Sequence, residues 1–530
     1  MRSKTLRVTL VIFFLAVIGF SLLLYGNRKV LLSSGSYPQR SKEIAAVVTA
    51  EDLPLLERFP RLQQADLSGS DCYDAILAWA KAHPDVSVSY TVSLPDGQTV
   101  PDTADAVDLS ALSDKEAREA VPLLRYLPEL TLMDLGSSKT GMQPETAVMF
   151  HEAYPDLAYR YSWALLGRPV SEKSRFLDLT TVTGADLPDV MTAISLLPDL
   201  GTIRLGTDDR EDVLSWAEIA ELIDAAPGAE ISYQFSLYGV PLTLQDETID
   251  LSHIRISDDG ALVCDAMRCM PNVSWLCMDG CGVGNEEMAA IRDAFPDVEV
   301  VWRVDFGWAY SARTNVTKIL ASKPSTGGPL HDGNTGVLKY FTKVKYLDLG
   351  HNEAITDISF VSSMPDLEVL IIAMNPLGDL SPLSDCPHLE YLELFFSNVY
   401  DLSPLRSCTE LKHLNIGMCP YLTDISPLYD LDLERLYIGR RTPIPADQIA
   451  HFRELHPDCE VNDTDWDTSV GEWRYKKVEG EELEWYRQQP YFREDRINMA
   501  PRFALLRDQF GYDTLDYSFR WKDPDYVWTK

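Results

Sequence analysis

Three groups of side chains have types and spacings that invite chemistry. In "NDTDWDTSVGE", Asp463, Asp465 and Asp467 alternate like the carboxylates that open a calcium loop. Thr468 occupies the glycine position, however, and Arg474 stands where the bidentate acid belongs. That stretch reads as a solvated acidic turn. His151-Glu152 begins like H-E-x-x-H, but Pro155 takes the place of the second histidine. Cys264, Cys269, Cys277 and Cys281 follow C-x4-C-x7-C-x3-C, which lacks the paired knuckles of a zinc site and has no histidine nearer than His253. Packing and turn positions suit these thiols better than a metal. No G-x-S-x-G elbow, phosphate loop or dinucleotide glycine pattern occurs. The expectation is a non-enzymatic chain without cofactor or metal, an enzyme built from dispersed residues being the outside alternative.

The charge balance narrows the partners. All 81 acidic residues follow position 42, and 7 of the 47 basic ones precede or occupy it, so the remainder sets 40 basic against 81 acidic residues, a balance of −41. Such a body repels nucleic acid and anionic lipid. Nine cysteines at irregular spacing do not form a disulfide framework. The N-terminus differs in kind: "VTLVIFFLAVIGFSLLLY", Val8 to Tyr25, holds eighteen residues without a charge, flanked by Arg2, Lys4 and Arg7 and then Arg28-Lys29. That length suits an uncleaved transmembrane signal anchor, with residues 1–7 as a cytoplasmic tail, 26–45 as a linker and the body outside the cytoplasmic membrane.

With so little chemistry in the motifs, the elements that would display side chains matter more. "DLSPL" occurs at Asp379 and again at Asp401, 22 residues later; Asp357-Ile358-Ser359 precedes by 22 and Asp424-Ile425-Ser426-Pro427-Leu428 follows by 23. Between the copies the leucines keep one frame: Val344-x-x-Leu347-x-Leu349, Leu367-x-x-Leu370-x-Ile372, Leu389-x-x-Leu392-x-Leu394, Leu411-x-x-Leu414-x-Ile416 and Leu433-x-x-Leu436-x-Ile438. Each L-x-L is a short strand with alternate side chains inward, and one turn alone cannot bury that face, so turns stack into a solenoid. The frame, with Asn352, Asn375, Ser397 and Cys419 at its turns, resembles the leucine-rich repeat family, and the D-[IL]-S-P-L return resembles its internalin-like bacterial members. Cys386 and Cys408 hold equivalent places in adjacent turns, about 5 Å apart for strand-like stacking, and are expected as buried free thiols.

Upstream a longer period replaces the short one. "FPRLQQADL", "LPELTLMDL", "LPDLGTIRL" and "MPNVSWLCM" begin at Phe59, Leu127, Leu197 and Met270, and "FTKVKYLDL" at Phe341 opens the short repeats. After each comes a helix-like run, then a proline (Pro84, Pro155, Pro227, Pro296) and an alternating strand; "AVDLS", "FLDLT" and "TIDLS" repeat the L-x-L logic at Val107, Leu177 and Ile249. The expected fold is an α/β leucine-rich-repeat solenoid. Irregular strand-helix-hairpin repeats fill 46–340 and regular repeats fill 341–441. A cap and an aromatic-rich tail occupy 442–530, with Met499 to Phe510 as a helix.

Alternation sends the residues beside the inward leucines outward. Through the five tight turns these are Tyr346, Asp348 and His351; Val369, Ile371 and Met374; Tyr391, Glu393, Phe395 and Phe396; His413, Asn415 and Met418; and Arg435, Tyr437 and Arg440. A solvent-facing row of Tyr, Phe and Met is the expected contact site for a protein or peptide, as the family resemblance implies. Glycan recognition by the many aromatic residues is the alternative partner class, and cover by the chain's own tail is the alternative fate of the row.

Overall fold

A computed structural model describes residues 28–139, 141–209, 212–307, 310–322 and 330–466, together with Trp473, Glu484, Gln488 and the backbone of Trp528–Thr529. The expected span Val8 to Tyr25 and the expected helix Met499 to Phe510 lie outside these residues. Among those described, no helix is long and apolar enough to cross a membrane. The chain divides into two compact units, Met1–Phe235 and Ser236–Lys530.

The first unit begins with a correction. Residues 28–45, expected as a linker, contain a hairpin, Lys29–Leu32 with Gly35–Pro38, and a strand, Glu43–Ala45. Alternation within "KVLL" buries Val30 and Leu32. The Asp52 carboxylate then holds the segment down by accepting from Ser33 N at 3.0 Å and Thr49 N at 2.9 Å.

Each long repeat then supplies parallel strands joined by helices. Glu43–Ala45, Gln64–Asp66 and Ser87–Ser89 pair in parallel in one register; Ala106–Asp108, Leu132–Ser137 and Ala158–Leu165 also pair in parallel, the last with a one-residue register shift between Arg160 and Tyr161. Phe176–Asp178 pairs with Thr202–Thr207 in the same way. Hairpins follow the third strand, as in Ala158–Leu165 with Arg168–Ser171. Helices start where the sequence caps them: Ser113 with Glu116 and Ser215 with Glu218 form reciprocal capping boxes. Six residues after the landmark prolines stand buried aromatics: Tyr90, Tyr161 and Tyr233, and Trp302 after the fourth. Tyr90 OH donates to Tyr126 O at 2.6 Å and Tyr161 OH to Met142 O at 2.7 Å, which removes the cost of burying a phenol.

The second unit repeats this plan once, with Thr248–Asp250, Trp275–Cys277 and Glu299–Val301 in parallel, and then tightens. Seven parallel strands run from Lys318–Leu320 through Tyr346–Asp348, Val369–Ile371, Tyr391–Glu393, His413–Asn415 and Arg435–Tyr437 to Glu460–Asn462. Leu347, Leu370, Leu392, Leu414 and Leu436 lie directly opposite one another in successive strands. All five are buried. The D-x-S element explains the return. Asp357, Asp379, Asp401 and Asp424 each accept a bond from the backbone N–H of the serine two residues on, every time at 2.8 Å, and a short 3-10 turn follows. Pro382, Pro404 and Pro427 sit at the start of three of those turns, where an N–H has no partner to lose.

The turn residues form a second ladder. Asn375 Nδ2 donates to Leu349 O at 3.0 Å and Ile372 O at 3.1 Å, tying one turn to the previous one. Ser397 and Cys419 take that place in the next two turns, and Thr442 Oγ1 ends the series by donating to Ile416 O at 2.9 Å. The helix Ala446–Leu455 and the strand Glu460–Asn462, which pairs in parallel with Arg435–Tyr437, cover the end of the stack. Cys386 and Cys408 are buried free thiols that donate to Val361 O at 3.5 Å and Leu383 O at 3.3 Å.

Candidate interaction face

The strand face of the tight turns is not the open row that alternation suggested. Tyr346, Asp348, Val369, Ile371, Tyr391, Glu393, Asn415, Arg435 and Tyr437 are buried; His351, Met374, Phe395, His413 and Met418 are half-buried; Phe396 and Arg440 are exposed. Side chains in neighbouring strands only about 4.8 Å apart cover part of one another. Trp473, itself 1% exposed, covers more. Its ring lies 5.7 Å from that of Tyr391 and 6.2 Å from that of Tyr437, with the Arg435 guanidinium 4.7 Å from its centroid. Its indole Nε1 donates to Glu393 Oε1 at 2.8 Å. Alternation correctly places these residues on the side away from the leucines; solvent does not reach most of them.

Where the strands end, the row opens. His351, Met374, Phe396 and Met418 hold equivalent positions in four turns, and each has a left-handed backbone, with φ of 60°, 59°, 58° and 58°. Such a conformation in a non-glycine residue costs roughly 1–2 kcal/mol. The ladder of bonds between turns enforces it: Met374 N donates to Phe395 O at 2.7 Å and Phe396 N to Gly417 O at 2.9 Å. The conformation turns Met374, Phe396 and Met418 into a groove of about 610 Å³, lined also by Asn375, Pro376, Ser397, Asn398 and Pro420. Glu353 and Arg441 are the charged lining residues, one from the first turn and one from the fifth. Stacking at about 4.8 Å per strand puts these two turns roughly 20 Å apart. Arg441 lies 6.0 Å from the ring centroid of Trp466, which is exposed.

The sequence frame had marked Met374, Phe396 and Met418 but not Glu353, Pro376, Asn398, Pro420 or Arg441. Their signal was present: each follows the marked position by a fixed one or two residues, on the same rim. Other expected groups fall elsewhere. Asp463 is paired with Arg453, Oδ1 to Nη2 at 2.8 Å, and Asp465 accepts from Asn462 Nδ2 at 2.7 Å; Asp467 lies outside the described residues. Cys281 Sγ donates to Leu251 O at 3.0 Å, and burial pushes its thiol up to about 11. Among the described residues no three His, Cys, Asp or Glu side chains gather in a metal-holding group. One buried ion group had no sequence signal. Asp279 meets Arg313 Nε at 2.8 Å and Arg303 Nε at 3.7 Å, because the hairpin Arg303–Phe306 with Tyr310–Arg313 carries both cations to it.

Residues 342–385 match the family model described as "Leucine Rich repeats (2 copies)". No curated protein sequence matches the chain. Among solved structures, the chain is similar to an internalin, InlF, from Listeria monocytogenes, at 15% identity over 70% of this chain and 84% of that one, with a TM-score of 0.25. A leucine-rich repeat protein from Leptospira interrogans is 15% identical over 80% of this chain and 93% of that one, with a TM-score of 0.25. Internalin C2 from Listeria monocytogenes is 16% identical over 46% of this chain and 81% of that one, with a TM-score of 0.20. Residues 342–385 therefore carry leucine-rich repeats, and the strands around them continue in the same parallel register through the five tight turns.

Proposed function

We propose that this protein is a non-enzymatic recognition scaffold that takes an extended, apolar peptide segment of a protein partner into the groove at Met374, Phe396 and Met418. The carrying observation is that groove: a half-exposed Phe396 ring (51%) between two methionines, held by a backbone that costs energy to maintain. Strained positions concentrate where a surface has work to do. Methionine and aromatic side chains adapt to and anchor apolar ligands. A strand of about six residues spans the roughly 20 Å between the turns of Glu353 and Arg441. Carboxylate at one end and guanidinium at the other favour a segment with a basic residue near the first turn and an acidic one near the fifth.

The membrane tether belongs to the same proposal: Val8 to Tyr25 anchors the chain in the cytoplasmic membrane and leaves the acidic body outside, where it meets protein rather than nucleic acid. Panning a random peptide library against the chain from Arg28 onward tests the binding half. The expected ligands are apolar segments whose affinity drops at least tenfold on Phe396→Ala. Ligands indifferent to Phe396, Met374 and Met418 would place recognition elsewhere. Protease treatment of intact cells tests the tether: an accessible body and a retained N-terminus are expected, and a protected body overturns the orientation.

A further inference from the structure

Trp473 is read by the strand face as well as covering it. The indole N–H meets Glu393 Oε1 at 2.8 Å, the ring lies against the Arg435 guanidinium at 4.7 Å, and Arg435 Nη1 donates to the main-chain carbonyl of Trp473 at 3.3 Å. Tyr391 and Tyr437 close two further sides at 5.7 and 6.2 Å. Each feature addresses a different part of a tryptophan residue: the donor, the π face and the peptide carbonyl.

Burying a carboxylate and a guanidinium is costly unless both are bonded; Glu393 and Arg435 are 1% and 7% exposed, and beside Trp473 they meet the Tyr391 hydroxyl and, at 3.6 Å, Glu460 Oε2. The positions equivalent to Glu393 are Ile371 in the second turn, apolar and buried, and Asp348 and Asn415 in the first and fourth, buried and each accepting from the backbone N–H two residues on. Glu393 and Arg435 differ from those residues in that both meet Trp473, one at its indole N–H and the other at its ring and carbonyl. The leucine core lies on the opposite face, with Leu392, Leu414 and Leu436 stacked in register, so the turns do not need the indole to stack.

We infer that Tyr391, Glu393, Arg435 and Tyr437 form a recognition socket for a tryptophan residue within a peptide, that Trp473 is its resident occupant, and that a partner segment bearing a tryptophan enters by taking that place. The bond to the main-chain carbonyl selects a peptide tryptophan over free indole, and the carboxylate selects an indole with its N–H. The socket is separate from the groove at Phe396, so the two sites stand or fall independently.

The test uses the full chain with Trp473→Ala and three probes: N-acetyl-tryptophanamide, its 1-methylindole analogue and N-acetyl-phenylalaninamide. Calorimetry should show the tryptophan probe binding the variant about tenfold or more tighter than either control, as expected for a bond to a charged acceptor. Glu393→Leu in the same background should erase that preference. The unmodified chain should bind the probe at least tenfold more weakly than the variant, because Trp473 competes. A folded variant that binds all three probes alike, or none, overturns the socket. If the alanine variant does not fold, the unmodified chain labelled with 5-fluorotryptophan gives the answer instead. Its Trp473 resonance, assigned by Trp473→Phe, should move to the solvent-exposed position as N-acetyl-tryptophanamide is added, and a resonance unmoved at saturating probe overturns the inference.

Discussion

The indole Nε1–H of Trp473 donates to the carboxylate of Glu393 across 2.8 Å, joining residues 80 positions apart. The third tight turn thus has two seams. Leu392 faces the stacked core and Glu393, the next residue, faces Trp473. A substitution on one side tests the solenoid, and on the other side it tests what lies on the solenoid.

On the core side, Leu392→Ala and Leu414→Ala should each cost about 2–5 kcal/mol, because both leucines are fully buried and stacked on each other in register. Denaturant titration measures the loss. Repeat units contact mainly their neighbours, so hydrogen exchange should rise first in the adjacent turns. A cost below about 1 kcal/mol would mean the inward frame does not form the core.

On the other side, Trp473→Phe keeps an aromatic ring but removes the indole donor to Glu393, leaving that carboxylate the Tyr391 hydroxyl. Losing one bond to a buried charged acceptor should cost about 1–3 kcal/mol. Faster amide exchange across residues 391–437, with the leucine core still protected, is the expected pattern.

At the groove, Phe396 separates binding from backbone strain. Phe396→Ala should weaken an apolar peptide ligand by about 2 kcal/mol or more. With φ at 58°, glycine fits the position better than alanine, so Phe396→Gly should be about 1 kcal/mol more stable than Phe396→Ala. Thermal melts of the two variants decide this. Equal stability would mean that the backbone relaxes without the ring.

Burial pushes the Cys386 thiol up to about 12 and the Cys408 thiol up to about 11. Both should resist iodoacetamide at pH 8 in the folded chain and react on denaturation. The raised folded-state values fix the sign of the pH effect. An unfolded thiol ionises near 8.5, so this contribution to stability is complete below about pH 8.5. It is then lost as pH rises through about 11 to 12, where the folded thiols ionise. Cys386→Ala with Cys408→Ala should flatten stability against pH in that alkaline window.

Much of this was legible from residues that interact within a repeat or with its neighbour. The period of Asp357, Asp379, Asp401 and Asp424 follows from one carboxylate bonding the serine N–H two residues on, a contact local enough to be written in five letters. The L-x-L frame names the inward leucines because strand side chains alternate, whatever else the chain does. The hairpin at residues 29–38 was missed because its hold, Asp52 to Ser33 N, spans 19 positions and belongs to no repeat. The same limit governs the site. Alternation fixed the side on which Tyr391, Glu393 and Arg435 project, but whether anything lies on that side depends on where Trp473 arrives. Likewise "FF" at 395–396 named two aromatics without saying which one reaches solvent. The left-handed backbone at Phe396, imposed by bonding to Gly417 of the next turn, decided it. Periodicity records forces that repeat with the chain. A contact made once, between distant segments, leaves no period and exists only in the fold.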